Sequence, residues 1–149
     1  MNIKKSLFLL MMLVIFTSST VAQKKSAKAA APAAQKKEIT DKDVPHLSVD
    51  QLILAMANKK PIVIIDVRHK GDYSHKIKGA LQIPLDEIEA RMKEVPRNKE
   101  VITYCACPAE QTSNAAAVKL LNNGYKKVLA LKGGWNSWVA AAGATEMSQ

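Results

Sequence analysis

"VITYCACPAEQTSNAAAVKLLNNGY", Val101 to Tyr125, is the stretch on which the fold turns. A mostly apolar, β-favouring run ends on Cys105. A short loop, "ACPAEQT", follows it. Helical spacing then begins near Thr112 and stops at Gly124, a residue suited to a left-handed helix C-cap. A strand without polar alternation is expected at the centre of a parallel sheet covered on both faces.

The same grammar recurs on either side. Ile62 to Ile65, in "PIVIIDVR", is a second buried strand, and "GALQIPL" gives a short one before Pro84. "DEIEARMKEV" reads as a short amphipathic helix from Asp86, and "KKVLAL" as a further strand. "GGWNSWVAAAG" turns on Gly133 and Gly134 into a last helix. Upstream, Ser48 is a candidate N-cap for a helix carrying Leu52, Ile53 and Met56 at helical spacing. Strands alternating with helices predict an α/β fold, a mostly parallel sheet flanked by helices, with right-handed crossovers. Ligands of such sheets bind outside the carboxyl ends of the strands. Cys105 stands at such an end.

The first residues carry Lys4 and Lys5, then an apolar core from Leu7 to Phe16 that is too short to span a membrane, then small residues to Ala22. Residues 1–22 are therefore expected to be a secretory signal cut after Ala22. The expected product is exported, periplasmic or secreted, with no stable membrane insertion after cleavage. An uncleaved anchor is the alternative. Residues 23–40 are rich in Ala and Lys, lack large apolar side chains and predict a mobile linker. The domain proper is then 41–149, the size of one small domain. The formal charge of +9 belongs mostly to the signal and linker, leaving only about +3 on the folded part. A solvated basic tail accounts for it. No nucleic-acid-binding motif, glycine-rich phosphate loop or serine triad is present.

A loop entering a helix N-terminus directs unpaired N–H groups and the positive end of the helix dipole at its centre. A thiol held there loses its proton more readily than a free cysteine, whose pKa is about 8.5, and the thiolate is the nucleophile. The backbone of Ala106, Cys107, Pro108, Ala109, Glu110, Gln111, Thr112 and Ser113 is the candidate cradle for a persulfide or oxyanion, and neither a metal nor a cofactor is required. A buried, inert cysteine is the alternative reading of position alone.

Three ordered blocks resemble the single-domain rhodanese family of sulfurtransferases, over Val44 to Gly143. "DVRHKGDYSHKIKGALQIPLDEI" is similar to the family's first signature, "VITYC" to the strand that delivers the nucleophile, and "LKGGWNSW" to the closing signature. The resemblance implies that Cys105 attacks a sulfane-sulfur donor and that the resulting persulfide passes its outer sulfur to a thiol acceptor, small molecule or protein. The chain departs from the pattern in three places. The loop after the cysteine is longer and holds Cys107, Pro108 and Glu110. Gln111 stands where the family's phosphatase relatives carry an arginine, which weighs against phosphoryl chemistry. Lys76-Ile77 replaces the usual His-Ile, with His75 displaced by one.

Glu110 opposes anionic donors such as thiosulfate unless it points outward, so a neutral or protein-bound persulfide is the expected donor. Cys107 has three readings: a second thiol that resolves the Cys105 persulfide or bridges to Cys105, a packing bystander, or a metal ligand. The last has little support, because His46, His69 and His75 show no ligand spacing. Asp66 and Arg68 read as a structural network beneath the loops, with orientation of substrate as the alternative. Trp135 and Trp138 read as core or rim packing. Two rival functions stay open beside sulfur transfer: a thiol/disulfide redox protein using Cys105 and Cys107, and a binding module without turnover.

Overall fold

The computed structural model describes residues 37–71 and 73–148. The expected signal and most of the expected linker lie outside them. The end of that linker is docked on the domain. The backbone of Ile39 donates to Asn122 Oδ1 at 3.0 Å and accepts from its Nδ2 at 3.1 Å.

A two-residue strand, β1 (His46–Leu47), leads into helix α1 (Val49–Ala57). Ser48 caps α1 as expected: its side chain accepts from Gln51 N, and the Gln51 side chain answers the Ser48 N–H. Strand β2 (Ile62–Asp66) is followed by β3 (His75–Ile77), β4 (Leu81–Gln82) and the short helix α2 (Ile88–Arg91), which runs on into a 3-10 turn over Met92–Glu94. Then come β5 (Glu100–Tyr104), α3 (Gln111–Asn122), β6 (Val128–Leu131), α4 (Gly134–Ala140) and β7 (Thr145–Met147). Gly124, at φ 90°, ends the α3 turn in the left-handed conformation its position suggested.

Five strands form a parallel sheet in the order β1-β6-β5-β2-β4, so β5, which delivers Cys105, is the central strand. A parallel α/β sheet flanked by helices is what the sequence pattern required. The short strand expected before Pro84 is Leu81–Gln82, an edge in register with Ile65 and Asp66; Ile83 N and Leu85 N, on either side of Pro84, donate to Asp66 O and Val67 O. The antiparallel ribbon of β3 with β7 lies apart from the main sheet.

Strand parity sorts the core into two layers. Val63, Ile65, Val101 and Cys105 pack with Ile88, Ala116, Ala117 and Leu120 on the α2–α3 face. Ile64, Ile102 and Tyr104 pack with Leu52, Leu131 and Trp138 on the α1–α4 face. Cys105 therefore emerges toward α3, while its neighbour Tyr104 projects to the opposite side.

Candidate active site

Cys105 follows β5 directly and is 2% exposed. Its carbonyl accepts from Trp135 N at 2.8 Å, which fixes its backbone against the start of α4. Gly134 makes this approach feasible. It stands at φ 50°, and a Cβ there would collide with the Cys105 carbonyl.

The sulfur of Cys105 is bonded to that of Cys107, with the two Cα atoms 5.6 Å apart. Of the three readings of Cys107, bystander and metal ligand are thus set aside in this state. Among the described residues, no three His, Cys, Asp or Glu side chains gather as a metal site. The Cys107 N–H donates to Cys105 Sγ at 3.4 Å. Ser113 Oγ lies 3.6 Å from the same sulfur and donates to Glu110 O at 2.9 Å. Thr112 Oγ1 is 3.5 Å from Cys107 Sγ. The first intrahelical bond of α3 runs from Asn114 N to Glu110 O, so the helix leaves the preceding amides of its first turn unused.

Both cysteines open onto a cleft of about 540 Å³, whose other walls include Arg68, Tyr73, Leu85, Thr112 and Lys119. The expected cradle is only partly assembled. Ala106, Cys107 and Thr112 line the cleft and Ser113 is buried beneath Cys105, but Pro108, Ala109 and Gln111 face solvent outside it. Glu110 corrects the expectation of an electrostatic gate. Its carboxylate turns away to accept from Gly133 N at 2.6 Å and borders a separate depression with Ser48, Val49 and Ser137. The acid that was to repel anions is thus engaged elsewhere, and the charged groups on the cleft wall are Arg68, Asp86 and Lys119, the last paired with Glu89 at 3.5 Å.

Arg68 belongs to a buried network. Asp66 Oδ1 accepts from Arg68 Nε at 2.8 Å and from its backbone N at 3.1 Å, and Oδ2 accepts from Nη2 at 2.6 Å. Tyr104 also donates to Asp66 Oδ2, at 2.6 Å, and accepts from Ile77 N at 3.1 Å. Nη2 reaches His75 O at 2.8 Å. The guanidinium lies over the rings of Tyr73 at 4.1 Å and Trp135 at 4.5 Å. Burial opposes its charge, but the Asp66 carboxylate outweighs burial and the Arg68 pKa is raised. Nη1 is buried without a hydrogen-bond partner among the described residues. Trp135 is therefore rim packing that stacks on a cation, and Trp138, 1% exposed, is core. Tyr104 was not singled out in the sequence; its place at the end of a buried strand is the local signal for it, whereas its pairing with Asp66 comes from the sheet register.

The sequence profile of the family described as Rhodanese-like domain matches residues 48–141. The chain belongs to the rhodanese-like family. Curated relatives agree. A protein named sulfurtransferase from Allochromatium vinosum is 31% identical over 96 residues, which cover 64% of this chain and 88% of that one. The thiosulfate sulfurtransferase GlpE of Coxiella burnetii is 30% identical over 100 residues, 66% of this chain and 88% of that one. Among solved structures, the crystal structure of the BH2092 protein from Bacillus halodurans superposes with a TM-score of 0.64 at 30% identity, covering 70% of this rhodanese-like chain and 78% of the other.

Proposed function

We propose that this rhodanese-like chain is an exported sulfurtransferase that carries sulfane sulfur on Cys105. The observation that supports it is the placement of Cys105 on the lining of the cleft, at the carboxyl end of the central strand and beside the start of α3. With the pair reduced, the Cys105 thiolate attacks the outer sulfur of the donor. With thiosulfate, the donor's sulfur–sulfur bond breaks and sulfite leaves with its electron pair. An acceptor thiol then takes the outer sulfur of the persulfide. The cleft wall carries Asp86 beside Arg68 and Lys119, and those two cations are paired with Asp66 and Glu89, so its charge does not select the donor; the name of the Coxiella relative supports thiosulfate over the neutral donor expected from Glu110. No cofactor enters either step. Export rests on the sequence of residues 1–22 alone, and a mature chain beginning at Gln23 is its test.

Intact-mass measurement after exposure of the reduced protein to thiosulfate tests the chemistry. The expected result is a reducible gain of one sulfur that maps to Cys105 in Cys107→Ser and is absent in Cys105→Ser. Sulfur found on Cys107 in the Cys105→Ser variant at the native rate would sink the assignment. A second reading, a thiol/disulfide redox protein, is favoured by the Cys105–Cys107 bond itself. It requires activity with thiol and disulfide substrates in the absence of any sulfane donor.

A further inference from the structure

Building on the sulfur-transfer reading, we infer that Cys107 is a second catalytic thiol, which resolves the Cys105 persulfide by attacking its inner sulfur and releasing sulfide. The cleft then reduces sulfane sulfur as well as relaying it. Four observations converge on this. The two sulfurs are bonded, so the folded loop brings Cys107 within bonding reach of Cys105 Sγ. That atom becomes the inner sulfur of the persulfide. The Cys107 N–H already points at it. Thr112 Oγ1 sits beside Cys107 Sγ, where a hydroxyl can hold the attacking sulfur. Cys107 and Cys105 also share one cleft, so the outer sulfur has a way out.

In the step itself, the Cys107 thiol and the Cys105 persulfide anion become the Cys105–Cys107 disulfide and HS⁻. The new bond joins Cys107 Sγ to Cys105 Sγ. The bond between Cys105 Sγ and the outer sulfur breaks, and its electron pair leaves on the outer sulfur. The Cys107 proton goes to that leaving sulfur. Outer sulfur is reduced to sulfide, and the Cys107 sulfur is oxidised to the disulfide level. A thiol tethered two residues from its target competes with acceptors in solution because it is already positioned. The Cys105–Cys107 bond in the structure has the connectivity this step would produce.

The cycle closes with an external dithiol, which is oxidised to its disulfide. Cys107 is half-buried whereas Cys105 is buried, so the dithiol attacks Cys107 and Cys105 departs as thiolate. Departure is faster from the sulfur that better holds negative charge. Here that sulfur is Cys105, next to the Cys107 N–H and the start of α3.

The test is a single turnover. Reduced full chain, freed of reductant, receives thiosulfate without any external thiol. Free sulfide and intact mass are then followed together. The native protein is expected to release up to one sulfide per chain and to end as the intramolecular disulfide. Both Cys107→Ser and Cys107→Ala are expected to hold the Cys105 persulfide and to release no sulfide until a dithiol is added. Native protein that keeps its persulfide as long as the Cys107 variants do would overturn the resolving role and leave sulfur transfer standing. Failure of every form, including the Cys107 variants, to load sulfur from either thiosulfate or an organic persulfide would overturn sulfur transfer itself, and the resolving role with it.

Discussion

Glu110 holds the loop in place through two opposed contributions. Its backbone is left-handed at φ 51°, which costs a non-glycine residue about 1–2 kcal/mol. Its carboxylate accepts from Gly133 N at 2.6 Å, and a hydrogen bond to a charged group contributes about 1.5–3 kcal/mol. The contact ties the cysteine loop to the turn that enters α4. Glu110→Ala keeps the unfavourable backbone and loses the bond, so it is expected to destabilise by about 1.5–3 kcal/mol in urea denaturation. Glu110→Gln keeps an acceptor and should lose less. Because the carboxylate faces away from the cleft, kcat/KM for thiosulfate and for an organic persulfide should change by the same factor in each variant. A rise confined to thiosulfate in Glu110→Gln would restore the electrostatic gate.

At the scale of elements, the decisive contact is between the end of β5 and the start of α4. Gly134→Ala places a methyl group on the Cys105 carbonyl and forces a side chain into a left-handed backbone. Such a change costs more than about 1 kcal/mol, and here it must also shift the nucleophile. Gly79→Ala is the matched control, since Gly79 has a similar φ of 78° and open space around it. Both variants should melt lower, but only Gly134→Ala should alter the alkylation rate of Cys105 in the reduced protein. Equal alkylation rates would show that Cys105 does not depend on this contact. These elements were unevenly legible in the sequence. The strands at Ile62–Asp66, Glu100–Tyr104 and Val128–Leu131 carry apolar runs whose burial on both faces dictates their composition. Ser48 and Gly124 declare their helix ends through local chemistry. β1, β3 and β7 have two or three residues each and take their identity from distant partners, as in the pairing of His75 with Met147. Local pattern carries no trace of that. Glu110 was misjudged for the same reason, because its partner Gly133 is 23 residues away in the chain.

Across the whole molecule, one buried network joins the sheet to the β3–β7 ribbon. Asp66 ends β2, Tyr104 ends β5, and Tyr104 and Arg68 reach Ile77 and His75 of β3. Replacing Tyr104 by Phe removes a donor from Asp66 Oδ2 and leaves the Ile77 N–H without its acceptor. Unpaired buried groups cost about 1–3 kcal/mol each, so Tyr104→Phe should be clearly less stable near neutral pH. The difference should then depend on pH in a definite direction. Burial, and after it the neighbouring Asp66 carboxylate, raise the Tyr104 phenol far above its ordinary range. In the unfolded chain the same phenol ionises near a pKa of about 10. Below that pH both states keep the proton, and the contribution of Tyr104 is fully present. Above it the unfolded state releases the proton while the native state retains it, so the contribution is lost as pH rises toward the folded pKa. Phe has no such proton to release. The stability gap between the native protein and Tyr104→Phe should therefore be constant from about pH 7 to 9 and narrow above about pH 10. Paired urea titrations of the oxidised proteins read this gap directly, because the other tyrosines and the lysines titrate alike in both and cancel. A gap still constant at about pH 11 would mean that Tyr104 gives up its proton as readily in the fold as in the unfolded chain. Asp66 and Arg68 would then have to hold the ribbon to the sheet without it.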